Sequence, residues 1–135
     1  MITRRIVFGL IITTHFFFHM FRVYAEIPCI SGRDGIVSLE MEARPVALEL
    51  RPGVFFDAWG YCIKGEKPTV PGPTIKVREG TKVRVHFTNK LAVPASVHPH
   101  GVKYTAANDG AHIAGNPTST VEPGHSRTYE WDTTG

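Results

Sequence analysis

Two histidines one residue apart, His98 and His100, are the side chains of this sequence with the clearest chemical potential. In an extended segment, residues i and i+2 point to the same face, roughly 6.7 Å apart along the chain, so both imidazoles converge on one small volume. Pro99 favours an extended conformation at His98, and Gly101 permits a turn directly afterwards. Because imidazole suits copper, zinc, iron and nickel, the pair is a candidate metal site. A His-x-His pair also occurs without any ligand role, so its surroundings must decide.

The other histidines lack this arrangement. His86 falls on the outward face of an alternating segment, which is typical of a solvated strand residue. His112 lies in a loop and His125 in a turn, without partner spacing. His15 and His19 belong to the N-terminal segment described next. Only His98 and His100 are therefore predicted metal ligands.

Residues 1–25 are predicted to be a secretory signal peptide. Basic residues precede an apolar run from Ile6 to Phe21, and Ala25 ends a stretch suited to cleavage. A membrane anchor is the alternative, but the run is shorter than the roughly 20 residues needed and is interrupted by polar residues. Cleavage predicts a secreted or periplasmic chain of residues 26–135 that forms one domain and no longer contacts a membrane.

Export places the two cysteines, Cys29 and Cys62, in an oxidising compartment, where they are candidates for a disulfide. Two free buried thiols and a cysteine copper ligand are the alternatives. The formal charge of +3 comes from the N-terminal segment, which holds three of the 15 Lys and Arg residues and none of the 12 acids. The rest is neutral, so charge implies no nucleic-acid partner.

Short alternating strands position the histidine pair. Alternation from Ile36 to Ala43 predicts a half-buried strand, and residues 46–51 predict a second strand or its continuation past a bulge at Arg44-Pro45. Residues 82–89 alternate strictly, with Val83, Val85 and Phe87 facing inward. Further strands are predicted at residues 54–61, filling the core with Phe55 or Phe56 and Trp59, and at 127–131, with Tyr129 and Trp131 as candidate core or cross-strand partners. Pro- and Gly-rich turns between such strands favour an all-β sandwich with Greek-key connections.

Five blocks together are similar to the first cupredoxin domain of multicopper oxidases. In order, they are Val70-Pro71-Gly72-Pro73-Thr74-Ile75-Lys76-Val77-Arg78-Glu79-Gly80, Val83-Arg84-Val85, Asn89-Lys90-Leu91, His98-Pro99-His100-Gly101 and Asn108-Asp109-Gly110. Val121-Glu122-Pro123-Gly124 before a Tyr-containing strand fits as well. The resemblance covers residues 46–135 and implies a cupredoxin-like Greek-key β-sandwich. Such a sandwich would need further C-terminal strands to close its sheets.

The resemblance implies copper as cofactor, with dioxygen and a reducing substrate as partners. Family members oxidise phenols or metal ions at a type 1 copper and pass electrons to a trinuclear copper cluster that reduces dioxygen. By the family pattern, His98 resembles a ligand of the type 2 copper and His100 a ligand of a type 3 copper. Laccases usually have Trp between these two histidines. The proline found here, Pro99, resembles the pattern of the ceruloplasmin and hephaestin branch of the family instead.

The chain departs from the family pattern in its number of ligands. The cluster takes eight histidines from four His-x-His motifs, and this sequence has one such motif and no His-Cys-His. One hypothesis is the N-terminal part of a multicopper oxidase, completed by further cupredoxin domains or subunits. Another is an exported copper-binding or carrier protein without oxidase activity. A third keeps the histidines inert in an adhesion or carbohydrate-binding module.

Overall fold

The computed structural model describes residues 35–113, 116–117 and 119–135. Its strands are β1 (Ile36–Arg51), β2 (Val54–Ile63), β3 (Lys82–Asn89) and β4 (Ser126–Asp132), and one short 3₁₀ helix spans Ala106–Asn108. They form one sheet in the order β2-β1-β3-β4. β1 runs antiparallel to β2 and parallel to β3, and β3 runs antiparallel to β4. The described residues contain no α-helix, which confirms the all-β class.

The core lies on one face of this sheet. The inward positions of β1 and β3 are buried, as the alternation predicted, and Tyr129 of β4 joins them. Segments outside the regular strands cover this face and pack Ile75, Val77, Val93, Ala95 and Val97 against it. A bridge between Ala95 and Val121 ties the covering segments together. The stretch that leads to His98 is therefore part of the layer over the core.

β1 is one continuous strand rather than two. The irregularity in its pairing lies between Glu49 and Arg51, not at Pro45 as predicted. Pairing of β1 with β3 ends at Ala43. Pro45 lies two residues further along β1, and its nitrogen faces the side where β3 no longer pairs with β1, so the missing N–H costs no hydrogen bond between strands. A proline is tolerated in a strand where no ladder hydrogen bond is lost.

The prediction that the aromatic residues of β2 fill the core is wrong. Phe55, Phe56 and Trp59 are 63%, 57% and 63% exposed. They lie where β1 and β2 extend as a two-stranded hairpin past the end of β3. The same alternation marks a strand in both halves of the hairpin, but among the described residues only the half beside β3 has a covering layer.

The predicted signal peptide of residues 1–25 and Cys29 both lie outside the described residues. The disulfide between Cys29 and Cys62 therefore stays a prediction. Cys62 is buried, and its thiol lies 3.7 Å from the Glu42 carbonyl oxygen. Burial raises the pKa of this thiol, with the Glu42 carboxylate adding to the effect. In the described part of the chain, no helix is long and apolar enough to cross a membrane.

Candidate metal centre

The structure brings the rings of His98 and His100 together. Their centroids lie 4.6 Å apart with the ring planes at 82°, an edge-to-face arrangement. Both residues are exposed, and Tyr104 lies edge-on to the His98 ring at 6.4 Å. Gly101 turns the chain immediately afterwards with a φ of 73°, a conformation that few side-chain-bearing residues adopt. Two imidazoles thus share one accessible surface point, as their spacing predicted.

Asp109 fixes the orientation of His98. His98 Nδ1 lies 2.6 Å from Asp109 Oδ1, which also accepts a hydrogen bond from the Ala111 N–H at 2.7 Å. The Ala111 N–H and, to a smaller degree, His98 lower the pKa of Asp109, while burial opposes them. Because the carboxylate can only accept, His98 Nδ1 carries the proton and Nε2 is the free nitrogen. Metal-binding histidines almost always donate their other ring N–H to a carboxylate, a backbone carbonyl or a water.

The loop that carries Asp109 is itself anchored. The Asn116 side-chain amide donates to the carbonyl oxygens of Ala106 and Asp109, at 2.6 and 2.9 Å. Asn116 and Asp109 are both buried. The 3₁₀ turn from Ala106 to Asn108 is thereby held against the chain that follows it, so the carboxylate has a fixed position before any metal binds.

The backbone that leads into His98 is fixed from two sides. Tyr61 donates its hydroxyl to the Ser96 carbonyl oxygen at 2.9 Å, and burial raises the pKa of this phenol, so it stays a donor. Ser96 donates its hydroxyl to the Gly110 carbonyl oxygen at 2.7 Å. A Cβ added to Gly110 would lie 2.1 Å from the Val97 carbonyl oxygen. Only glycine fits at that contact.

Sequence reasoning missed the roles of Asp109 and Tyr61. Asp109 stands in the Asn-Asp-Gly block already associated with the family, but its partner lies eleven residues earlier. Tyr61 lies 35 residues before Ser96 on a different strand. The Asn108-Asp109-Gly110 sequence is typical of a tight turn. The local sequence does not indicate that the Asp109 side chain would contact His98.

The remaining described histidines lie apart from the pair. His86 is exposed on β3 and contacts the Thr128 hydroxyl at 3.1 Å, which confirms its place as a solvated strand residue. His125 donates through Nδ1 to the Pro123 carbonyl oxygen, and His112 is exposed in its loop. No group of three or more His, Cys, Asp or Glu side chains within the described ranges could hold a metal ion.

The donor set fits part of a copper site. His98 offers Nε2, His100 offers a second imidazole, and the Asp109 carboxylate orients the first. Imidazole nitrogen is a ligand type that suits copper. Two nitrogens leave most of a coordination shell open, so other donors must complete the site.

A cavity of about 410 Å³ lies beside the pair but does not include it. Its lining contains Tyr104, whose ring faces His98, together with Trp131 and Lys103. Its charged side chains are Lys82, Arg84, Lys103, Glu130 and Asp132. Arg84 is paired with Glu130 at 2.8 Å, so the cavity carries little net charge for a ligand to recognise.

Most of this chain is similar to a short part of one much longer protein. It is 70% identical over 113 residues to a probable nitrite reductase-hydroxylamine oxidoreductase fusion protein of Kuenenia stuttgartiensis. The match covers 84% of this chain and 13% of that protein. Mouse coagulation factor V is 38% identical over 89 residues, which cover 58% of this chain and 4% of the factor. The chain thus spans a small fraction of the relatives it matches.

A solved multi-copper oxidase from Pseudomonas thermotolerans has the same fold. It superposes with a TM-score of 0.60 at 34% identity, covering 73% of this chain and 22% of the oxidase. This likeness confirms the predicted cupredoxin-like fold. The family model described as multicopper oxidase matches residues 63–135, more than half of the chain, and includes both His98 and His100. The chain belongs to the multicopper oxidase family.

Proposed function

We propose that the chain supplies His98 and His100 to a trinuclear copper cluster of a multicopper oxidase that reduces dioxygen while a phenol or a metal ion is oxidised. The observation that carries the proposal is the convergence of the two imidazoles, 4.6 Å apart, with Asp109 bound to the first. His98 and His100 would hold copper there, and the metal would supply the transfer of electrons from the oxidised substrate to dioxygen.

The chain's own contribution is to hold two nitrogens in place. Asp109 keeps the proton of His98 on Nδ1 and so keeps Nε2 available as a ligand. Tyr61 and Gly110 are both hydrogen-bonded to Ser96, and Gly110 also lies against the Val97 carbonyl, so the backbone that leads to His98 is anchored by the chain itself. Further cupredoxin domains or subunits provide the other ligands in this proposal. This role would be carried out in a secreted or periplasmic protein, after removal of residues 1–25.

A copper-binding or carrier protein without oxidase activity is the second candidate. It is favoured by the exposure of both imidazoles and by the finding that no group of three side chains among the described residues could hold a metal ion. Two nitrogens at a surface would hold copper loosely enough to pass it on. The two candidates differ in what surrounds the pair, since an oxidase needs the remaining ligands and a carrier does not.

The Kuenenia relative offers a test, because 70% identity permits replacement of its matching stretch by this chain's residues. Copper per molecule is measured by mass spectrometry in that chimera and in its His98→Ala and His100→Ala variants, and oxygen uptake is followed with Fe(II) or a phenol. We expect both variants to lose copper and oxygen uptake. The His125→Ala variant is the control and should retain both.

The outcomes separate the two candidates. Copper that depends on His98 and His100, without oxygen uptake in the unaltered chimera, would favour the copper-binding protein over the oxidase if the Kuenenia relative itself takes up oxygen in the same assay. Copper content that is unchanged in both variants would contradict either candidate.

A further inference from the structure

The part of β1 and β2 that extends past β3, residues 46–59, presents apolar side chains to solvent. We call this part the hairpin tip. Its exposed apolar residues are Leu50, Val54, Phe55, Phe56 and Trp59, with exposures from 38% to 66%. Soluble proteins rarely leave so many large apolar side chains together at the surface without an interaction to cover them.

The outer edge of β2 also has backbone groups available for pairing. Tyr61 exchanges both backbone hydrogen bonds with Thr69, on the side away from β1. Alternate residues of a strand direct their N–H and C=O groups to the same side. Phe55, Asp57 and Trp59 therefore direct theirs outward, where no described strand pairs with them. Such an edge is a template for another strand.

The apolar side chains lie on both faces of the hairpin tip. Phe55 and Trp59 share the face that continues from the core, whereas Phe56 lies on the opposite face, beside Leu48 of β1. A partner that covered one face would leave the other exposed. A strand added at the edge contacts both faces at once, because its own side chains alternate.

We propose that the partner is a second copy of this chain, whose β2 pairs antiparallel with the outer edge of β2 across a twofold axis. The partner strand must be extended, apolar on both faces and nearly uncharged, and β2 itself meets each requirement. Asp57 is the only charged residue between Val54 and Ile63. A twofold contact is self-complementary, so one strand supplies both sides.

The charge of Asp57 selects among the registers of such a pair. Centring the pair on Asp57 would oppose two carboxylates directly, which is unfavourable. Moving the centre by one residue to Phe56 places the two Phe56 side chains opposite each other and pairs each Asp57 with the other copy's Phe55. This register keeps the outward hydrogen-bonding groups aligned.

The available surface approaches what a dimer needs. Three aromatic side chains that are about 60% exposed contribute roughly 100–150 Å² each, or about 600–900 Å² over two copies. Leu50, Val54 and the strand backbone add to this area. Specific interfaces begin near 1,000 Å² of total buried surface.

Sedimentation velocity of the full chain between about 1 and 100 μM tests the proposal. We expect a reversible monomer–dimer equilibrium in this range. Asp57→Pro removes an outward N–H without removing a bond to β1, so it should shift the dimer dissociation constant at least tenfold upward. Trp59→Lys, which places a charge at the edge, should do the same and serves as the second variant if the proline variant does not fold.

Val70→Lys is the matched control, since Val70 is an exposed apolar residue outside the hairpin tip. This variant should dimerise like the unaltered chain. A chain that stays monomeric throughout the concentration range would overturn the proposal, as would a dimer that Trp59→Lys leaves intact. Trp59 fluorescence in a Trp131→Phe background adds a local readout. A monomer in which acrylamide fails to quench Trp59 would show that another part of the same chain covers the edge, which also overturns the proposal.

Discussion

The two ends of the β1–β2 hairpin differ in what covers them. Beside β3, Tyr61 packs on the core and holds the Ser96 backbone next to the histidine pair. Past β3, Trp59 lies on the same face of the same strand, two residues away, and is 63% exposed. Two aromatic residues in one alternating pattern thus have opposite environments. The strand pattern sets which face a side chain takes, and the tertiary neighbours decide whether that face is buried.

The largest expected effect on the free energy of unfolding is a difference between two phenylalanine substitutions, one in the core and one at the hairpin tip. Phe87 is fully buried at the centre of the core, so Phe87→Ala should lower the free energy of unfolding by about 3–5 kcal/mol. Phe55→Ala at the hairpin tip should change it by no more than about 0.5 kcal/mol in the monomer. Urea unfolding at low protein concentration measures both. Equal losses would show that the hairpin tip is buried in the folded monomer.

The second-largest loss of stability is expected from substitution of Gly110, which lies beside the histidine pair. Gly110→Ala places a methyl group against the Val97 carbonyl oxygen, so we expect a loss of roughly 2–3 kcal/mol in unfolding free energy and weaker copper binding. Gly135→Ala is the control, because a methyl group added there would lie close only to the flexible carboxylate of Glu79. Thermal unfolding and copper titration of both variants measure the effect. A Gly110→Ala variant with unchanged stability would contradict the close contact between these segments.

A single hydroxyl should have the smallest effect. Tyr61→Phe keeps the ring in the core but removes the hydrogen bond to the Ser96 carbonyl oxygen, which should cost about 1 kcal/mol. Copper affinity should fall as well, because the backbone before His98 loses one anchor. Thr88→Val removes a hydroxyl bonded to Ser126 on the outer side of the sheet and should leave copper affinity unchanged. Equal copper affinities in both variants would show that the Tyr61 hydroxyl does not contribute to copper binding.

Alternation predicted the strands well because it reflects local geometry. Val83, Val85 and Phe87 point inward as expected, and the histidine spacing correctly brought two imidazoles together. The exposure of Trp59 was not predictable, because it depends on where β3 ends rather than on β2 itself. The link from His98 to Asp109 was not predictable either, since it depends on how the loop after Tyr104 returns. Local pattern specifies the elements, and long-range contacts specify the site.

A calorimetric Cu(II) titration of the chain decides whether His98 and His100 are copper ligands, as we propose. His98→Ala and His100→Ala should each weaken binding by more than about tenfold, since even partners of ligands typically contribute that much. The His125→Ala variant should bind Cu(II) like the unaltered chain, because the His125 ring is hydrogen-bonded to the Pro123 carbonyl oxygen and is not one of the proposed ligands. Affinity that is unchanged in both His98→Ala and His100→Ala would contradict the claim.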